Sequence, residues 1–369
     1  MTSQAPAERK PREPETVELR SVPGFIVFDL PGAPVSAGGT RLAADVTVAE
    51  VALLARAMTY KYAALGAQVG GAKAGLAGDP RDRAGRATLM SRYCAEIRPL
   101  VAAGRFLTGP DMGTFEQDFA PLREHRATPG AMSASVDDVP FEDLLTGYGV
   151  AVAAETALRA TAGGGWDGRS VAIEGFGKVG GGAAREVTRR GGRVVAVSTI
   201  AGSVADPAGL DIARLLELRR GYGDDCVARY GGPVAPPALL FTAEADVIIP
   251  GARPGVISEQ VAQSLAPAVR VVAPAANVPY TMAGAEVLRG RKIAALPDFV
   301  CNAGAVLGYR SAPEDTPAQV LDAVADRITG IISDALSHPD GPLAGACEQA
   351  AAFLRSWRGA APAPPFAAG

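Results

Sequence analysis

The sequence predicts an α/β protein of two domains, and three observations predict it. From residue 146 onward, short apolar segments of strand length alternate with helical stretches. One of those strands runs directly into a glycine turn that opens a helix. Ahead of residue 146 the pattern differs: capped helices flank a stretch too rich in glycine for helix. Apolar strands separated by helices make a parallel sheet covered on both faces, and 369 residues accommodate two domains of ordinary size.

Met1 to Glu15 mixes proline with lysine, arginine and glutamate and lacks an apolar core segment, so it reads as a mobile tail rather than a signal peptide. Thr16 to Arg20 and Gly24 to Phe28 read as two short strands hinged near Pro23. Thr47 and Glu50 form a T-x-x-E capping box for a helix whose apolar residues Val51, Leu54, Met58, Tyr62 and Leu65 recur at helical spacing. Asp79 and Pro80 supply an N-cap and a first-turn proline for a second helix towards Leu100. Gly66 to Gly78 reads as a glycine-rich connection between the two.

A helix through Val150 to Leu158 leads into the break Gly163-Gly164-Gly165. The strands that follow are Val171 to Glu174, Arg193 to Val197, Asp246 to Ile249, Arg270 to Ala273 and Ile293 to Leu296. Thr316, Pro317 and Gln319 cap a last long helix striped by Val320, Val324, Ile328, Ile331 and Leu336. The Ala/Pro run after Gly359 reads as a loose tail.

Composition narrows the function classes. A hydrophobic share of 48%, 20% charged residues and a net charge of -3 describe a globular chain with scattered basic residues, and mean hydropathy is +0.14. That balance calls for neither nucleic acid nor a membrane surface as partner. The four cysteines, Cys94, Cys226, Cys301 and Cys347, lie far apart and read as free thiols in the cytoplasm. With only His125 and His338 besides, no metal site is expected.

The segment Ser170 to Gly180 carries Gly175, Gly177 and Gly180 in a G-x-G-x-x-G pattern, interleaved with Phe176, Lys178 and Val179. Its place between a strand and a helix from Lys178 to Arg190 is the context that a dinucleotide turn requires. There glycines let backbone N–H groups approach a pyrophosphate, and the helix N-terminus adds its positive end. The next strand ends in Ser198-Thr199-Ile200, where an acid would normally hold the ribose 2′-hydroxyl. No acid is there and no arginine lies nearby in sequence, which leaves NAD or NADP open and predicts weak discrimination between them.

Lysines are scarce, yet Lys61 and Lys73 fall in one stretch, the second flanked by Gly70, Gly71 and Gly75. A lysine walled by glycines is open to backbone and substrate, and partial desolvation would lower its pKa towards proton transfer. Taken alone it fits a surface lysine on a loop as well. Asp111, between Pro110 and Met112-Gly113, fits either a proton carrier or a turn residue.

Eight ordered pieces decide between these readings. They are Gly38-Gly39-Thr40-Arg41, Met58 to Lys73, Pro110 to Thr114, Thr146 to Val150, Gly175 to Gly180, Ala245 to Pro250, Ala275-Ala276-Asn277 and Pro297 to Val306. In these pieces the chain resembles the glutamate/leucine/phenylalanine/valine dehydrogenase family, and is most similar to its shorter leucine-type members. The resemblance implies an N-terminal α/β domain for substrate and oligomerisation, a Rossmann dinucleotide domain, and an active site in the cleft between them. It divides the chain into a tail at 1–15, a substrate domain at 16–145, an NAD(P) domain at 146–312, and at 313–369 a C-terminal helix that packs back on the first domain before a loose tail.

By the same resemblance Lys61 binds the substrate α-carboxylate, Lys73 activates water, and Asp111 shuttles a proton at the substrate nitrogen. Thr146 and Asn277 position the nicotinamide and ribose; Pro250, Ala276 and Asn302 join the cofactor residues, with Ser198 and Thr199 at the strand end. Gly38, Gly39, Ala37, Val306 and Tyr309 are implied on the substrate side. The implied reaction is oxidative deamination of an amino acid to a 2-oxo acid and ammonia, or its reverse, in a homo-oligomer.

Two positions bear on the substrate. Glutamate-specific members carry a lysine where this chain has Ala37, and a serine where it has Tyr309. A second carboxylate would lose its cation, and a buried unpaired charge is costly, so a neutral side chain is expected. Gly251-Ala252-Arg253-Pro254 replaces a small apolar run, and Val278 stands where the family repeats asparagine. These departures also suit a specialised biosynthetic reductase on an unusual amino or imino substrate. A catalytically silent dinucleotide-binding protein would have no physical need for Lys61, Lys73 and Asp111 together.

Overall fold

The computed structural model describes residues 11–125, 129–136 and 139–366. The expected N-terminal tail lies for the most part outside them, and so does the end of the C-terminal run. Two compact units emerge, one of residues 1–127 with 347–365, the other of 128–346 with 366–369. The second unit takes in the whole helix Phe141–Ala162, which a boundary at Thr146 would cut.

The first unit opens with the hairpin β1 (Glu15–Glu18) and β2 (Gly24–Phe28), antiparallel with Glu15 opposite Phe28. Then come β3 (Ser36–Ala37), β4 (Thr40–Ala43), α1 (Val48–Ala64), β5 (Gly70–Ala77), α2 (Arg83–Ala102) and β6 (Phe106–Leu107). The glycine-rich stretch expected to be a connection is therefore a strand, and β5 is the centre of the sheet. It pairs antiparallel with β2, and parallel with β3 and β4 on its other side.

Two-residue alternation gives β5 two different faces. Ala72, Ala74 and Leu76 join Ile26 and Leu42 in a core with Met90, Tyr93, Ile97 and Val101 of α2. Gly71, Lys73 and Gly75 share the opposite face, on which α1 lies. A Cβ on Gly71 would overlap the Ala55 carbonyl oxygen, and one on Gly75 would lie 2.9 Å from Val51. Glycine is thus a packing requirement of a close helix, and not the mark of a loop.

Helix α1 starts at Thr47, whose hydroxyl accepts from the Glu50 N–H at 3.2 Å. Only half of the expected box forms, because the Glu50 carboxylate turns to Arg41 instead. Helix α2 is capped by Asp82, which accepts from the Gly85 N–H at 3.0 Å, and not by Asp79. Asp79 accepts from the Arg81 N–H and closes a turn ahead of the helix.

The second unit begins with the short antiparallel pair β7 (Ser135–Val136) and β8 (Val139–Pro140). Helix α3 (Phe141–Ala162) ends at Gly163 with φ +74°, a left-handed cap that suits glycine. β9 (Ser170–Glu174), α4 (Lys178–Arg189), β10 (Arg193–Thr199), β11 (Gly202–Ala205), α5 (Ile212–Tyr222) and α6 (Cys226–Tyr230) follow. The remainder alternates β12 (Val247–Ile249), α7 (Glu259–Ser264), β13 (Val271–Val272), α8 (Met282–Gly290) and β14 (Ala294–Ala295). It closes with α9 (Asp298–Cys301), α10 (Gly304–Gly308), α11 (Pro317–Leu336) and α12 (Pro342–Arg358).

The sheet order is β11-β10-β9-β12-β13-β14. All pairs are parallel except β10 with β11, an antiparallel edge that the sequence reading did not contain. One face carries Ala172, Ile248 and Val272 against Ile257, Ala262 and Leu288. Strand order reverses between β9 and β12, and ligands of such sheets bind at the carboxyl ends of strands at this switch point.

Thr316 and Gln319 cap α11 reciprocally, and Val320, Val324, Ile328 and Ile331 of the expected stripe are buried. This helix belongs to the second unit, whereas α12 from Cys347 onward belongs to the first. The segment after Gly359, expected to be loose, is tied down: Tyr60 Oη donates to Pro362 O at 2.7 Å and Arg56 to Ala363 O at 2.9 Å. Its main-chain carbonyls have no helical partners of their own, and so serve the buried phenol. No helix among the described residues is long and apolar enough to cross a membrane.

Candidate active site

In the first unit, three of the sequence pieces meet around β5. The Gly39 carbonyl accepts from the Ala74 N–H at 3.2 Å, and the Thr40 N–H donates to Gly109 O at 2.9 Å. A Cβ on Gly38 would overlap the Ala72 carbonyl oxygen, and one on Gly39 would lie 3.0 Å from Asp111 Cβ. The glycine pair therefore lets the chain pass close to both the lysine strand and the aspartate turn. That turn is fixed by Thr114, whose hydroxyl donates to Thr40 O at 2.8 Å and accepts from the Asp111 N–H at 3.0 Å. Gly113, at φ +81°, has no room for a side chain against Leu42 O.

Lys73 and Asp111 are brought together, with Nζ 2.9 Å from Oδ2. Lys73 is 4% exposed. Lys61, on the last turn of α1, is buried as well. Arg41, which the sequence showed only as part of a glycine piece, lies with Nε 3.4 Å from Asp111 Oδ2. Its Nη1 ion-pairs with Glu50. The usable signal was a buried-type position for an arginine directly after Gly38-Gly39-Thr40, with an acid at the start of the next helix.

Burial pushes the Asp111 carboxyl up, but the Lys73 ammonium and the Arg41 guanidinium outweigh it and hold the group below its ordinary value. Its folded pKa is therefore lower than its unfolded one. The resulting stability is present above the ordinary value of 3.8 and is lost as pH falls through the lowered value. Unfolding free energy should accordingly fall more steeply in the wild type than in Asp111→Asn as the pH drops below about 4. Parallel pH profiles in denaturant titrations would remove Asp111 from this role.

In the second unit the glycine turn follows β9 as the sequence predicts. Gly175 has φ +83°, and a Cβ there would lie 3.0 Å from the Gly251 main chain. A Cβ on Gly180 would overlap Gly175 O, so α4 packs tightly under the turn. Gly175 and Phe176 donate their N–H groups to Ser198 O at 3.1 and 2.9 Å, which ties the turn to β10. The N-cap of α4 is Gly177, which offers no side-chain acceptor to the first-turn amides. Such an uncapped, sterically open helix start fits a pyrophosphate. Phe176 is buried, while Lys178 is exposed and pairs with Asp143 at 3.1 Å.

The other cofactor candidates gather at the neighbouring strand ends. Pro250 O accepts from Ala275 and Ala276 N–H at 2.9 and 3.0 Å. Asn302 Nδ2 donates to Asn277 Oδ1 at 2.9 Å and to Ala275 O at 3.1 Å. Thr146 sits on α3, where a Cβ on Gly304 would lie 3.1 Å from its nitrogen and overlap Leu145 O. Val306 lies on α10 and Tyr309 caps it, both half-buried.

The two departures noted in the sequence have a structural side. Val278 is at φ +51°, a conformation that disfavours β-branched residues and that asparagine tolerates, and its N–H is held by Asp298 Oδ2 at 2.8 Å. Gly251 and Ala252 donate their N–H groups to the buried carboxylate of Glu174, both at 3.2 Å. Burial raises the Glu174 pKa, against those two bonds and Arg253. Sequence reasoning missed Glu174 because it reads as the end of an apolar strand. The sequence places no arginine near the end of the second strand, but the fold brings one to the glycine turn beside it. Arg219 of α5 reaches the turn, with Nη2 3.9 Å from a Cβ placed on Gly177. The helix packing that brings it there is invisible in the strand itself.

Family models match both units: "Glutamate/Leucine/Phenylalanine/Valine dehydrogenase" over residues 141–310, and "Glu/Leu/Phe/Val dehydrogenase, dimerisation domain" over 16–127. Glutamate dehydrogenase A2 of Halobacterium salinarum is 33% identical over 284 residues, which is 73% of this chain and 67% of that protein. Glutamate dehydrogenase of Aeropyrum pernix is 31% identical over 73% of this chain and 66% of its own length. Among solved structures, the hetero-hexameric glutamate dehydrogenase of Thermus thermophilus in a Leu-bound form has a TM-score of 0.79 at 25% identity, covering 95% of this chain and 91% of that one. The chain therefore belongs to the Glu/Leu/Phe/Val dehydrogenase family, two-domain α/β oxidoreductases that act on the CH–NH2 group of amino acids with NAD or NADP.

Proposed function

We propose that the chain catalyses the oxidative deamination of a neutral L-2-amino acid to its 2-oxo acid and ammonia, or the reverse reductive amination. The observation that carries this reading is the contact of buried Lys73 with half-buried Asp111, 2.9 Å apart, in the same unit as the buried Lys61. Amino acid, oxidised nicotinamide and water go to 2-oxo acid, ammonium, reduced nicotinamide and a proton. The cofactor supplies the hydride acceptor for the substrate Cα; the first-turn amides of α4 and the Asn277–Asn302 pair are the groups that fit its phosphates and sugar.

The protein's own groups do the rest. Lys61 gives the substrate α-carboxylate a cation. Lys73 takes the proton of the water that adds to the imino carbon. Asp111, in contact with Lys73, carries a proton to the substrate nitrogen so that ammonia can leave. Arg41 and Glu50 hold Asp111 in its ionised, correctly placed form. A homo-oligomer, supported by the dimerisation-domain match over 16–127, and a cytoplasmic location are parts of the same reading.

The neutral substrate rests on Ala37. It is 3% exposed in β3, opposite Gly71 and Leu107 in register, where the resemblance would place a lysine for a second carboxylate. An apolar substrate group gains about 25 cal/mol for each Å² it buries. The names of the Halobacterium and Aeropyrum relatives favour a second reading, glutamate. Kinetics with glutamate, valine and leucine separate the two. Ala37→Lys is expected to raise activity on glutamate and lower it on the neutral substrates. If glutamate is the best of the three with the unmodified enzyme, the neutral reading fails.

A further inference from the structure

We infer that Arg219 reads the ribose 2′-position of the bound dinucleotide, and that the enzyme prefers the 2′-phosphorylated cofactor, NADP. The inference rests on the dinucleotide site but not on the choice of amino acid. In a sheet of this order the adenosine ribose falls at the end of the second strand, beside the start of the first helix. Here that strand is β10 and that helix is α4. The strand ends in Ser198-Thr199-Ile200-Ala201, which offers no carboxylate to a 2′,3′-diol.

What the chain supplies instead is a guanidinium, delivered by packing. A Cβ on Gly181 would lie 3.0 Å from Leu216 Cδ2, so the missing side chain lets α5 approach α4 closely. One helical turn beyond Leu216 stands Arg219, whose Nη2 lies 3.9 Å from where a Cβ on Gly177 would sit, at the mouth of the turn. Asp224 fixes it there. Thr199 Oγ1 donates to Asp224 O at 2.6 Å, and the Asp224 carboxylate ion-pairs with Arg219 Nη1. The positive guanidinium also offsets part of the rise that burial imposes on the Cys226 thiol pKa. Strand end, acid and guanidinium thus form one linked unit.

Asp224 lies in the same region but does not act as the missing acid: its Oδ1 is engaged by Arg219, which makes it the residue that positions the cation. An arginine has five donors in a planar fork, matched to the oxygens of a phosphate, and such charge-assisted pairs are the strong ones. Its side chain is 31% exposed, so the fork is open to a ligand without being loose on the surface.

The test is calorimetric titration of the whole protein with 2′,5′-ADP and with 5′-ADP, which share every group except the 2′-phosphate. The wild type is expected to bind 2′,5′-ADP at least about tenfold more tightly. Arg219→Ala should abolish that advantage and leave 5′-ADP affinity as it was, with Arg219→Lys intermediate and thermal unfolding of both variants unchanged. Equal affinities in the wild type, or a preference for 5′-ADP, would overturn the NADP assignment. An advantage that survives Arg219→Ala, or an equal loss for both ligands, would overturn the role of Arg219. Binding of neither nucleotide would overturn the dinucleotide site itself, whatever the amino-acid kinetics show.

Discussion

Lys73→Ala and Asp111→Asn are each expected to lower kcat by about 10²- to 10⁴-fold while the protein still folds, because positioned proton transfer contributes a factor of that size. The two side chains touch at 2.9 Å, so their effects should not add. The double variant is expected to be about as impaired as the worse single one. Lys73→Ala leaves Asp111 with Arg41 as its remaining cation, and losing one partner of a buried pair costs about 3 to 5 kcal/mol in general. Folding must therefore be checked by circular dichroism before kinetics are read. A folded variant at either position that keeps more than about a tenth of the wild-type kcat would remove that residue from the chemistry.

Gly38→Ala should be among the most damaging single-methyl changes in the chain. The added carbon would overlap the carbonyl oxygen of Ala72, a backbone atom in the central strand, and would lie 3.3 Å from Met58 Cγ. Backbone cannot rotate aside as a side-chain tip can, so β3 and β4 must move away from β5. Overpacking of this kind costs about 3 kcal/mol or more when the obstacle is rigid. Movement of β5 against the Asp111 turn would also separate Lys73 from its partner, so activity should fall with stability. Gly330→Ala is the control. It lies within α11 with nothing near the added carbon, and the change should stabilise by up to about 1 kcal/mol. Denaturant titration of both variants decides the matter, and similar midpoints would show that the close passage of Gly38 over β5 is not required.

Much of the second unit is legible in the sequence, because its elements carry local signals. Val171 to Ile173 are apolar and β-branched or small, the turn after them is marked by three glycines, and the Thr316-Pro317-Gln319 start forms both reciprocal bonds of a capping box. The first unit is less legible. β5 looks like a loop because its glycines answer to α1 packed against it, a tertiary cause with no local trace. Helix α2 offers two aspartates three residues apart, Asp79 and Asp82, each able to cap, and only packing selects the second. At the site, Lys73 and Asp111 stand out through their glycine surroundings. Arg41 and Arg219 do not, since an arginine pattern says nothing of whether the side chain will face solvent, a carboxylate or a ligand. The stretch after Gly359 holds to α1 through the main-chain carbonyls of Pro362 and Ala363, a group that every residue possesses and no sequence pattern distinguishes.

On the proposed function, this chain moves a hydride and ammonia at the α-carbon of a neutral amino acid. The most direct test of that reading is ammonium-dependent oxidation of reduced nicotinamide cofactor by the purified protein, with the 2-oxo acids of valine, leucine and glutamate compared side by side. The prediction is one ammonium incorporated for each hydride consumed, with higher kcat/KM for the neutral 2-oxo acids than for 2-oxoglutarate. Cofactor oxidation that leaves ammonium unconsumed, or no turnover with any of the three, would contradict it.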